Sequence, residues 1–437
     1  MRLRFLPAFF TLIFLLHACG TRGPAALFKK GTPHEQYSQA LRSSGLAKTA
    51  LAARWLSSAE SSLPKAVSVT LPYRETGFFD AAEPRPASFR FPVKEGQQLD
   101  IRLQRRSGDS TKVFIDLWHD RTGEERGYQL VASADTSGKP LTHAVENTGF
   151  YILRVQPELL RDVEYTLSVN TGPSFGFPVQ KGANSHIGSF WGVDRDGGSR
   201  RHEGVDIFAP LRTPAVAAVA GRIVGVNENR LGGLTVWLRP DGQDYTLYYA
   251  HLDRQIATEG QIVQPGDTLG LIGNTGNART TPPHLHFGVY GHGGAVDPLP
   301  FINPVIQQAG EVSAPGEWLN ADARISRDRL DLQDKAGEQN LRLFRYDQLR
   351  ILAAERNLFR ALLPDGRQVF VPRSSVESLT GFKQAVFTTE KFLLNKPADD
   401  GLRRRTIPAA TRLDVLAAWQ AYYYVKIGGE KGWVKKT

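Results

Sequence analysis

Three short histidine motifs lie between Trp191 and Tyr290, and the interpretation of the whole sequence starts from them. They are His202-Glu203-Gly204-Val205-Asp206, Tyr249-Ala250-His251-Leu252 and His284-Leu285-His286. A catalytic zinc ion takes three protein ligands, typically histidine nitrogens or carboxylate oxygens, and leaves the fourth position to water. A lone histidine is more often structural, but three motifs in one stretch predict a zinc site.

The spacing within the motifs favours strands. Residues two or four apart on a strand point to the same face, so we expect His202 to align with Asp206 and His284 to align with His286. Residues two apart on a helix do not face each other, and the Pro282-Pro283 pair opposes a helix just before the last motif. We therefore predict that His202, Asp206 and His286 bind the zinc ion.

The two other motif histidines, His251 and His284, are predicted to be catalytic. An unperturbed imidazole titrates near pH ~6.5 and can pass protons near neutrality. We expect the pair to orient the water on the zinc and to donate hydrogen bonds to the tetrahedral intermediate. Glu203 is a poor general base, because a strand would turn it away from the metal. Asp206 also stands where the helical His-Glu-x-x-His motif requires histidine.

These motifs and their neighbours resemble the lysostaphin-type zinc endopeptidases, which cut peptidoglycan peptides. The resemblance covers about residues 175–305 and extends to Gly221-Arg222-Ile223-Val224, Pro265-Gly266-Asp267-Thr268-Leu269-Gly270 and Gly273-Asn274-Thr275-Gly276. By that family's pattern, His202, Asp206 and His286 are the zinc ligands, while His251 and His284 assist catalysis. Some relatives have lost these residues and only activate other hydrolases, whereas this chain keeps all five.

The amino-terminal segment predicts export. Residues 1–18 are interpreted as a signal peptide, because Arg2 and Arg4 precede an apolar run too short for a spanning helix. The run ends in Leu16-His17-Ala18-Cys19-Gly20, which resembles a bacterial lipobox. Cys19 is the only cysteine, so we predict that it is lipidated and anchors the chain to a membrane. An ordinary cleaved signal with an incidental cysteine is the alternative, and it too exports the protein.

The rest of the sequence predicts an all-β multidomain protein with a short N-terminal helical segment. Period-two alternation and glycine punctuation indicate strands over most of its length. The predicted parts are a lipid tether and helical segment over residues 19–65, a jelly-roll-like β-sandwich over 66–172, the antiparallel-sheet zinc endopeptidase domain over 173–310, a candidate SH3-like domain over 320–380, and an SH3-like barrel over 381–437.

Two features are left with open alternatives. The polar loop Asp194–Arg201, just before the first predicted ligand, either lines a substrate cleft or is a plain surface turn. Trp419, Tyr424 and Trp433 of the SH3-like unit are either barrel core or ligand-binding residues, because in relatives such barrels bind cell-wall peptides.

Charge and export together narrow the partners. The formal net charge is +10, but an exported chain without a basic recognition helix does not suggest nucleic acid. Anionic cell-wall polymer or phospholipid head groups fit better. Gly20 resembles the pattern of outer-membrane lipoproteins, which predicts the periplasmic face of the outer membrane.

The predicted function is that of an exported zinc endopeptidase hydrolysing the peptide cross-links of peptidoglycan. The alternative is a wall-binding lipoprotein that recruits or activates another hydrolase without cutting. The flanking helices over Glu35–Ser62 or the SH3-like units could cover the site and regulate it.

Overall fold

A computed structural model describes residues 31–106, 110–124, 127–314, 316–333 and 340–437, and these form a mostly β structure. This confirms the predicted fold class. The predicted signal segment 1–18 and Cys19 lie outside the described residues. Within the described ranges, no helix combines the length and the apolar character that crossing a bilayer requires.

Two short helices begin the described chain, α1 over Pro33–Ser43 and α2 over Ala50–Ser61. The Thr32 side chain and Glu35 form a capping box that starts α1. Gly45 adopts a left-handed conformation between the helices, with a φ of 77°, which ends the first helix where the sequence predicted an interruption. The two predicted helices are thereby confirmed.

The helices pack on strands of the following region. The strands of that region are β1 (Val67–Ser68), β2 (Tyr73–Phe79), β3 (Ala87–Val93), β4 (Gln97–Arg105), β5 (Val113–Arg121), β6 (Gly127–Ser133), β7 (Leu141–Ala144), β8 (Gly149–Pro157) and β9 (Val163–Pro173). Trp55 is fully buried against Phe114 of β5, and its indole N–H donates to the Pro157 carbonyl of β8. These contacts of α2 are with the sandwich, and a cover of the zinc site by the two helices stays a hypothesis.

Two sheets face each other across one apolar core in this region, which is the β-sandwich that the sequence predicted. The first sheet has the order β1-β3-β8-β5-β6, and β2, β9, β4 and β7 belong to the second. Phe89 and Leu153 enter the core from the first sheet, and Leu99 and Leu167 enter it from the second. His119 stacks on Tyr151 with ring centres 4.6 Å apart, so this histidine packs against the sandwich.

The central region forms a ten-stranded antiparallel sheet with the path β10-β13-β20-β17-β16-β15-β18. The ten strands are β10 (His186–Ser189), β13 (Val205–Phe208), β14 (Pro214–Val216), β15 (Gly221–Asn229), β16 (Gly233–Pro240), β17 (Thr246–Gln255), β18 (Ile262–Val263), β19 (Thr268–Ile272), β20 (His284–Gly291) and β21 (Gly294–Val296). The strands β11 (Asp194–Arg195) and β12 (Arg200–Arg201) form a separate two-stranded sheet, and the helix α3 (Leu299–Ile302) follows β21. Inward-facing residues such as Ile207, Tyr249 and Phe287 are fully buried, which fixes the register of β13, β17 and β20.

The carboxy-terminal region contains thirteen further strands in the described residues. They are β22 (Asp322–Ile325), β23 (Arg329–Gln333), β24 (Asn340–Phe344), β25 (Gln348–Glu355), β26 (Leu358–Leu362), β27 (Gln368–Pro372), β28 (Val376–Ser378), β29 (Lys383–Val386), β30 (Lys391–Leu394), β31 (Arg403–Ile407), β32 (Arg412–Trp419), β33 (Tyr422–Ile427) and β34 (Glu430–Lys435). Gly366, at a φ of 89°, follows Asp365 in the hairpin turn between β26 and β27.

One sheet joins the sandwich to the first carboxy-terminal unit. Thr76 and Gly77 of β2 pair with Ala354 and Ala353 of β25, so the path β27-β26-β25-β2-β9-β4-β7 is continuous. Residues assigned to two domains in the sequence thus share a nine-stranded sheet, and the predicted domain bounds stay a prediction.

A buried ion pair reinforces this junction. Glu75 of β2 is fully buried and accepts hydrogen bonds from the Tyr73 and Tyr165 hydroxyls, each at 2.6 Å. Arg360 of β26 donates to both carboxylate oxygens of Glu75, from Nε and Nη2, each at 2.8 Å. Two oxygens with four donors form a complete set of partners, as a buried charge requires.

The last unit is a six-stranded sheet with the order β29-β32-β33-β34-β30-β31. The described pairing runs from one edge to the other without closing, so the SH3-like barrel stays a prediction. Trp419 and Trp433 are buried in a core shared with the preceding unit, and Tyr424 packs 4.9 Å from the Trp433 ring. This favours the core alternative for these three side chains.

Candidate metal centre

The structure brings the three predicted metal ligands together. The candidate ligand atoms of His202, Asp206 and His286 all lie within 4.8 Å of one another. Asp206 Oδ1 is 3.0 Å from His202 Nε2 and 3.0 Å from His286 Nδ1, and those two nitrogens are 3.0 Å apart. Two imidazole nitrogens and one carboxylate oxygen form a donor set that fits zinc, so the residues present suit the ion that the sequence implied.

Asp206 and His286 are held by strand pairing. Asp206 lies on β13 directly opposite His286 on β20, so their side chains leave the same face of the sheet. Gly204 leaves room for the imidazole, because a methyl group there would lie 2.6 Å from His286 Cε1. The sequence motif His-x-His is confirmed as part of a strand, with His284 as its first residue.

His202 corrects one prediction. It was expected to share a strand with Asp206, but β13 begins only at Val205, and His202 lies in the preceding loop. Backbone hydrogen bonds to Val193 hold it there, because His202 N–H donates to the Val193 carbonyl at 2.9 Å. The path of this loop, and not the alternation of side chains along a strand, brings His202 Nε2 close to Asp206. Glu203 is exposed, in keeping with its exclusion as a base.

Backbone carbonyls set the proton positions of three imidazoles. A carbonyl only accepts, so His202 Nδ1 carries a proton toward Phe190 O, at 2.9 Å, and leaves Nε2 as a lone pair. His251 Nδ1 likewise donates to Thr275 O and His284 Nδ1 to Pro282 O, each at 2.9 Å. In all three rings, Nε2 is therefore free to accept a proton or to bind a cation.

His251 reaches the cluster through an unusual backbone conformation. Its φ is 62°, the left-handed region that non-glycine residues rarely adopt. Backbone bonds from His251 N–H to Gly232 O and from Gly273 N–H to His251 O hold this conformation on both sides. The ring then lies 5.0 Å from that of His284 and 5.9 Å from that of His286. A strained residue at this point is typical of functional sites.

Two glycines, Gly233 and Gly276, let two loops beside His251 approach each other closely. A Cβ on Gly233 would lie 2.1 Å from Thr275 Oγ1, and one on Gly276 would lie 2.3 Å from Gly233 N. The two loops can approach this closely only without side chains. Their contact places the Thr275 carbonyl where it accepts from His251.

The ionisation of the cluster follows from burial and mutual contacts. Burial alone would raise the pKa of Asp206, but the close contacts of His202 and His286 with Oδ1 outweigh burial and hold that pKa below its usual range. Burial, with the charges of His286 and His284, lowers the pKa of His251 to about 4. Burial also lowers the pKa of His286. These pKa shifts favour an ionised Asp206 beside neutral rings of His251 and His286.

The polar loop before the site contributes a side chain that the ligand motifs did not reveal. Residues 194–201 form a small hairpin of β11 and β12, and Arg195 Nη2 lies 2.5 Å from Asp206 Oδ2. The same Nη2 donates to Ser189 Oγ at 2.8 Å. This contact places the loop beside the candidate metal ligands, and a role in lining a substrate cleft stays a prediction.

Aromatic side chains extend the site along the sheet. Trp237, Tyr248 and Tyr290 lie on β16, β17 and β20, with the Trp237 ring 4.2 Å from Tyr248 and 5.5 Å from Tyr290. The Tyr248 ring is 5.9 Å from that of His286. The sequence did not predict this cluster, because the convergence of these three side chains depends on the pairing of three strands.

The opposite side of the site has a second aromatic contact. Phe208 packs 5.1 Å from the His284 ring and 5.7 Å from His186. The sequence left His186 unassigned, and no local pattern distinguished it.

Comparison with known proteins agrees with the site. Residues 200–298 match the model of Peptidase family M23, and the chain therefore carries a domain of this family. The match spans the three predicted metal ligands and both predicted catalytic histidines.

Two curated relatives are informative. The chain is 37% identical over 139 residues to the L-Ala--D-Glu endopeptidase of Bacillus subtilis (strain 168), covering 29% of this chain and 42% of that protein. It is also 37% identical over 203 residues to the peptidoglycan DD-endopeptidase ShyC of Vibrio cholerae serotype O1, covering 44% of this chain and 42% of that protein. The chain thus spans about two fifths of the length of these relatives.

Among solved structures, the catalytic domain of lysostaphin from Staphylococcus simulans is similar to part of the chain. The two are 32% identical, with a TM-score of 0.25, and the match covers 27% of this chain and 92% of the lysostaphin domain.

Proposed function

We propose that this protein is an exported, zinc-dependent endopeptidase that hydrolyses peptide cross-links of peptidoglycan. The observation that carries the proposal is the convergence of His202 Nε2, Asp206 Oδ1 and His286 Nδ1 on one point. The substrate class is supported by the M23 domain and by relatives named as peptidoglycan endopeptidases.

In this proposal, His202, Asp206 and His286 hold the zinc ion. Bound there, zinc supplies Lewis-acid polarisation of the scissile carbonyl and acidifies the attacking water. Asp206 contributes a carboxylate charge, because its pKa is held low, and burial lowers the pKa of His286, which favours the neutral ring.

His251 and His284 are the proposed proton carriers. Each has Nδ1–H bound to a carbonyl, so each presents a Nε2 lone pair. The pKa of His251, lowered to about 4, keeps that ring neutral near pH 7, so it can accept a hydrogen bond from the attacking water. A ring that has taken the proton becomes a donor at Nε2 and stabilises the developing oxyanion.

The predictions about lipidation, location and wall binding belong to the same proposal. Lipidation of Cys19, anchorage to the periplasmic face of the outer membrane and a binding role for the carboxy-terminal units would bring the site to the cell wall. The domain bounds predicted from the sequence are also part of this proposal. No nucleic acid partner is proposed.

Digestion of purified sacculi tests the activity. We expect the wild-type protein to release peptide-linked fragments detectable by mass spectrometry, and His286→Ala to release none, because one of three ligands is lost. His292→Ala is the matched control, since this histidine is exposed and lies outside the cluster. Removal of zinc with a chelator should abolish release, and added zinc should restore it.

Two outcomes would contradict the proposal. Equal products from wild type and His286→Ala would show that the cluster does not catalyse hydrolysis. Binding of sacculi without release of fragments would favour the wall-binding, non-cutting alternative.

A further inference from the structure

The two oxygens of Asp206 have different partners. Oδ1 faces His202 and His286, whereas Oδ2 is 2.5 Å from Arg195 Nη2. From this division we infer that Arg195 is a positioning residue, which orients the Asp206 carboxylate so that Oδ1 is presented to the cation. The inference rests on the proposed function, because it concerns the same metal centre.

Burial separates this contact from an ordinary surface ion pair. Exposed pairs contribute little, because water competes for both charges. The Asp206 side chain is only 7% exposed, so each of its oxygens needs a partner inside the protein. Arg195 supplies that partner for Oδ2, and its own side chain remains 33% exposed.

The structure also fixes Arg195 itself. The same Nη2 donates to Ser189 Oγ, and Ser189 stands opposite Asp206 across β10 and β13. The register shifts between Ile187 and Ser189, and such an irregularity changes where a strand side chain points. Ser189 Oγ lies in turn 3.4 Å from His202 Nδ1. Arg195 is therefore part of a short network behind two of the three candidate ligands.

Two effects of the guanidinium on metal binding oppose each other. Its positive charge repels a cation, while its hydrogen bond holds the carboxylate in the orientation that presents Oδ1. Partners of this kind around metal-binding carboxylates change affinity roughly 10–100-fold when removed. Because the bond is short and Asp206 is buried, we expect orientation to dominate, so that loss of Arg195 weakens zinc binding.

Zinc affinity, measured by competition with a chromophoric chelator, tests this without any reference to turnover. We expect Arg195→Leu to weaken zinc binding roughly tenfold or more. Arg195→Lys, which keeps a cationic donor, should restore most of the affinity. Arg201→Ala is the matched control, because it removes an exposed arginine from the same hairpin and should leave affinity unchanged. The thermal midpoint of the zinc-free protein should stay the same in all variants.

Each other result overturns the inference. Unchanged affinity in Arg195→Leu would make the contact incidental, and tighter binding would make Arg195 a competitor of the metal. An equal loss in Arg201→Ala would assign the effect to the hairpin as a whole. If the wild-type protein bound no zinc at all, the proposed function would fall together with this role, which distinguishes that failure from the others.

Discussion

Two clusters of buried charge lie on two different sheets of this molecule, and they differ in how their charges are satisfied. Glu75 on the nine-stranded sheet has two tyrosine hydroxyls and the Arg360 guanidinium as donors, so every carboxylate oxygen has protein partners. Asp206 on the ten-stranded sheet shares Oδ1 with His202 and His286, two rings whose nitrogens meet at 3.0 Å.

The difference separates a structural cluster from a candidate binding site. Around Glu75, donors match acceptors, and the cluster joins β2 to β26. Around Asp206, one carboxylate oxygen and two imidazole nitrogens turn toward one another, an arrangement that a divalent cation completes. Burial alone did not distinguish the two clusters, because Glu75 and Asp206 are both buried. The kind of partner did, because Glu75 meets a guanidinium and two hydroxyls, whereas Asp206 Oδ1 meets two imidazole rings.

We expect the largest effect from a substitution in the Glu75 cluster, in which the buried charges have partners. Arg360→Met should lower the free energy of unfolding by about 3–5 kcal/mol, because it leaves the Glu75 carboxylate buried without its countercharge. Urea denaturation followed by tryptophan fluorescence measures this. The double variant Arg360→Met with Glu75→Leu should recover part of the loss, since no buried charge remains. Equal losses in the single and double variants would show that packing and not charge governs the junction.

A second buried cluster with protein partners, around His34, predicts that the stability of the fold depends on pH. His34 accepts from Arg154 at Nδ1, at 3.2 Å, and donates from Nε2 to Gln156 at 2.9 Å. Burial and the charge of Arg154 lower the pKa of His34 to about 4, against 6.5 when unfolded. Between these values the unfolded chain binds a proton that the folded chain does not, so this contribution is present above pH 6.5 and is lost as pH falls toward 4.

The expected size is at most about 3 kcal/mol, from the difference between the two pKa values. The free energy of unfolding at pH 7.5 and pH 4.5 measures it in the wild-type protein and in His34→Gln. The variant should lose less stability on acidification by about this amount. The same pH dependence in both proteins would contradict a protonation effect at His34.

Removal of the carboxylate from the Asp206 cluster, here called the open cluster, should affect stability differently from Arg360→Met. Asp206→Ala should change the stability of the zinc-free protein little, because Arg195 is partly exposed and can turn to water. It should abolish the stabilisation by zinc, which amounts to about 2.7 kcal/mol at a zinc concentration 100 times the Kd.

Thermal unfolding with and without zinc measures this. Asp253→Ala, which removes an exposed pair with Arg212, should keep the zinc-dependent shift. A large loss of stability in zinc-free Asp206→Ala would show that the open cluster is structural as well.

Local patterns in the sequence anticipated much of what the structure contains. Period-two alternation located the strands around Leu99–Leu103 and Tyr165–Val169, because half-buried strands expose every second residue. The His-x-His spacing placed His284 and His286 on one strand for the same reason. Alternation failed for His202, because the loop that carries it is positioned by contacts with Val193 and Phe190 and not by a strand.

Long-range pairing was beyond the reach of these patterns. The junction of β2 with β25 joins residues nearly 280 positions apart, and an edge strand shows no sign in its own sequence of which partner it will take. The sequence shows that residue 195 is a charged arginine, but its hydrogen bond to Asp206 depends on where the β11–β12 hairpin lies in the folded chain.

The sequence by itself indicated a candidate metal centre, because the type and spacing of possible ligands are local properties. Only the tertiary structure decided which side chains meet at that centre, which backbone carbonyl each imidazole faces, and which arginine contacts the Asp206 carboxylate. These depend on distances between segments far apart in the chain, and hydrogen bonds act only at contact.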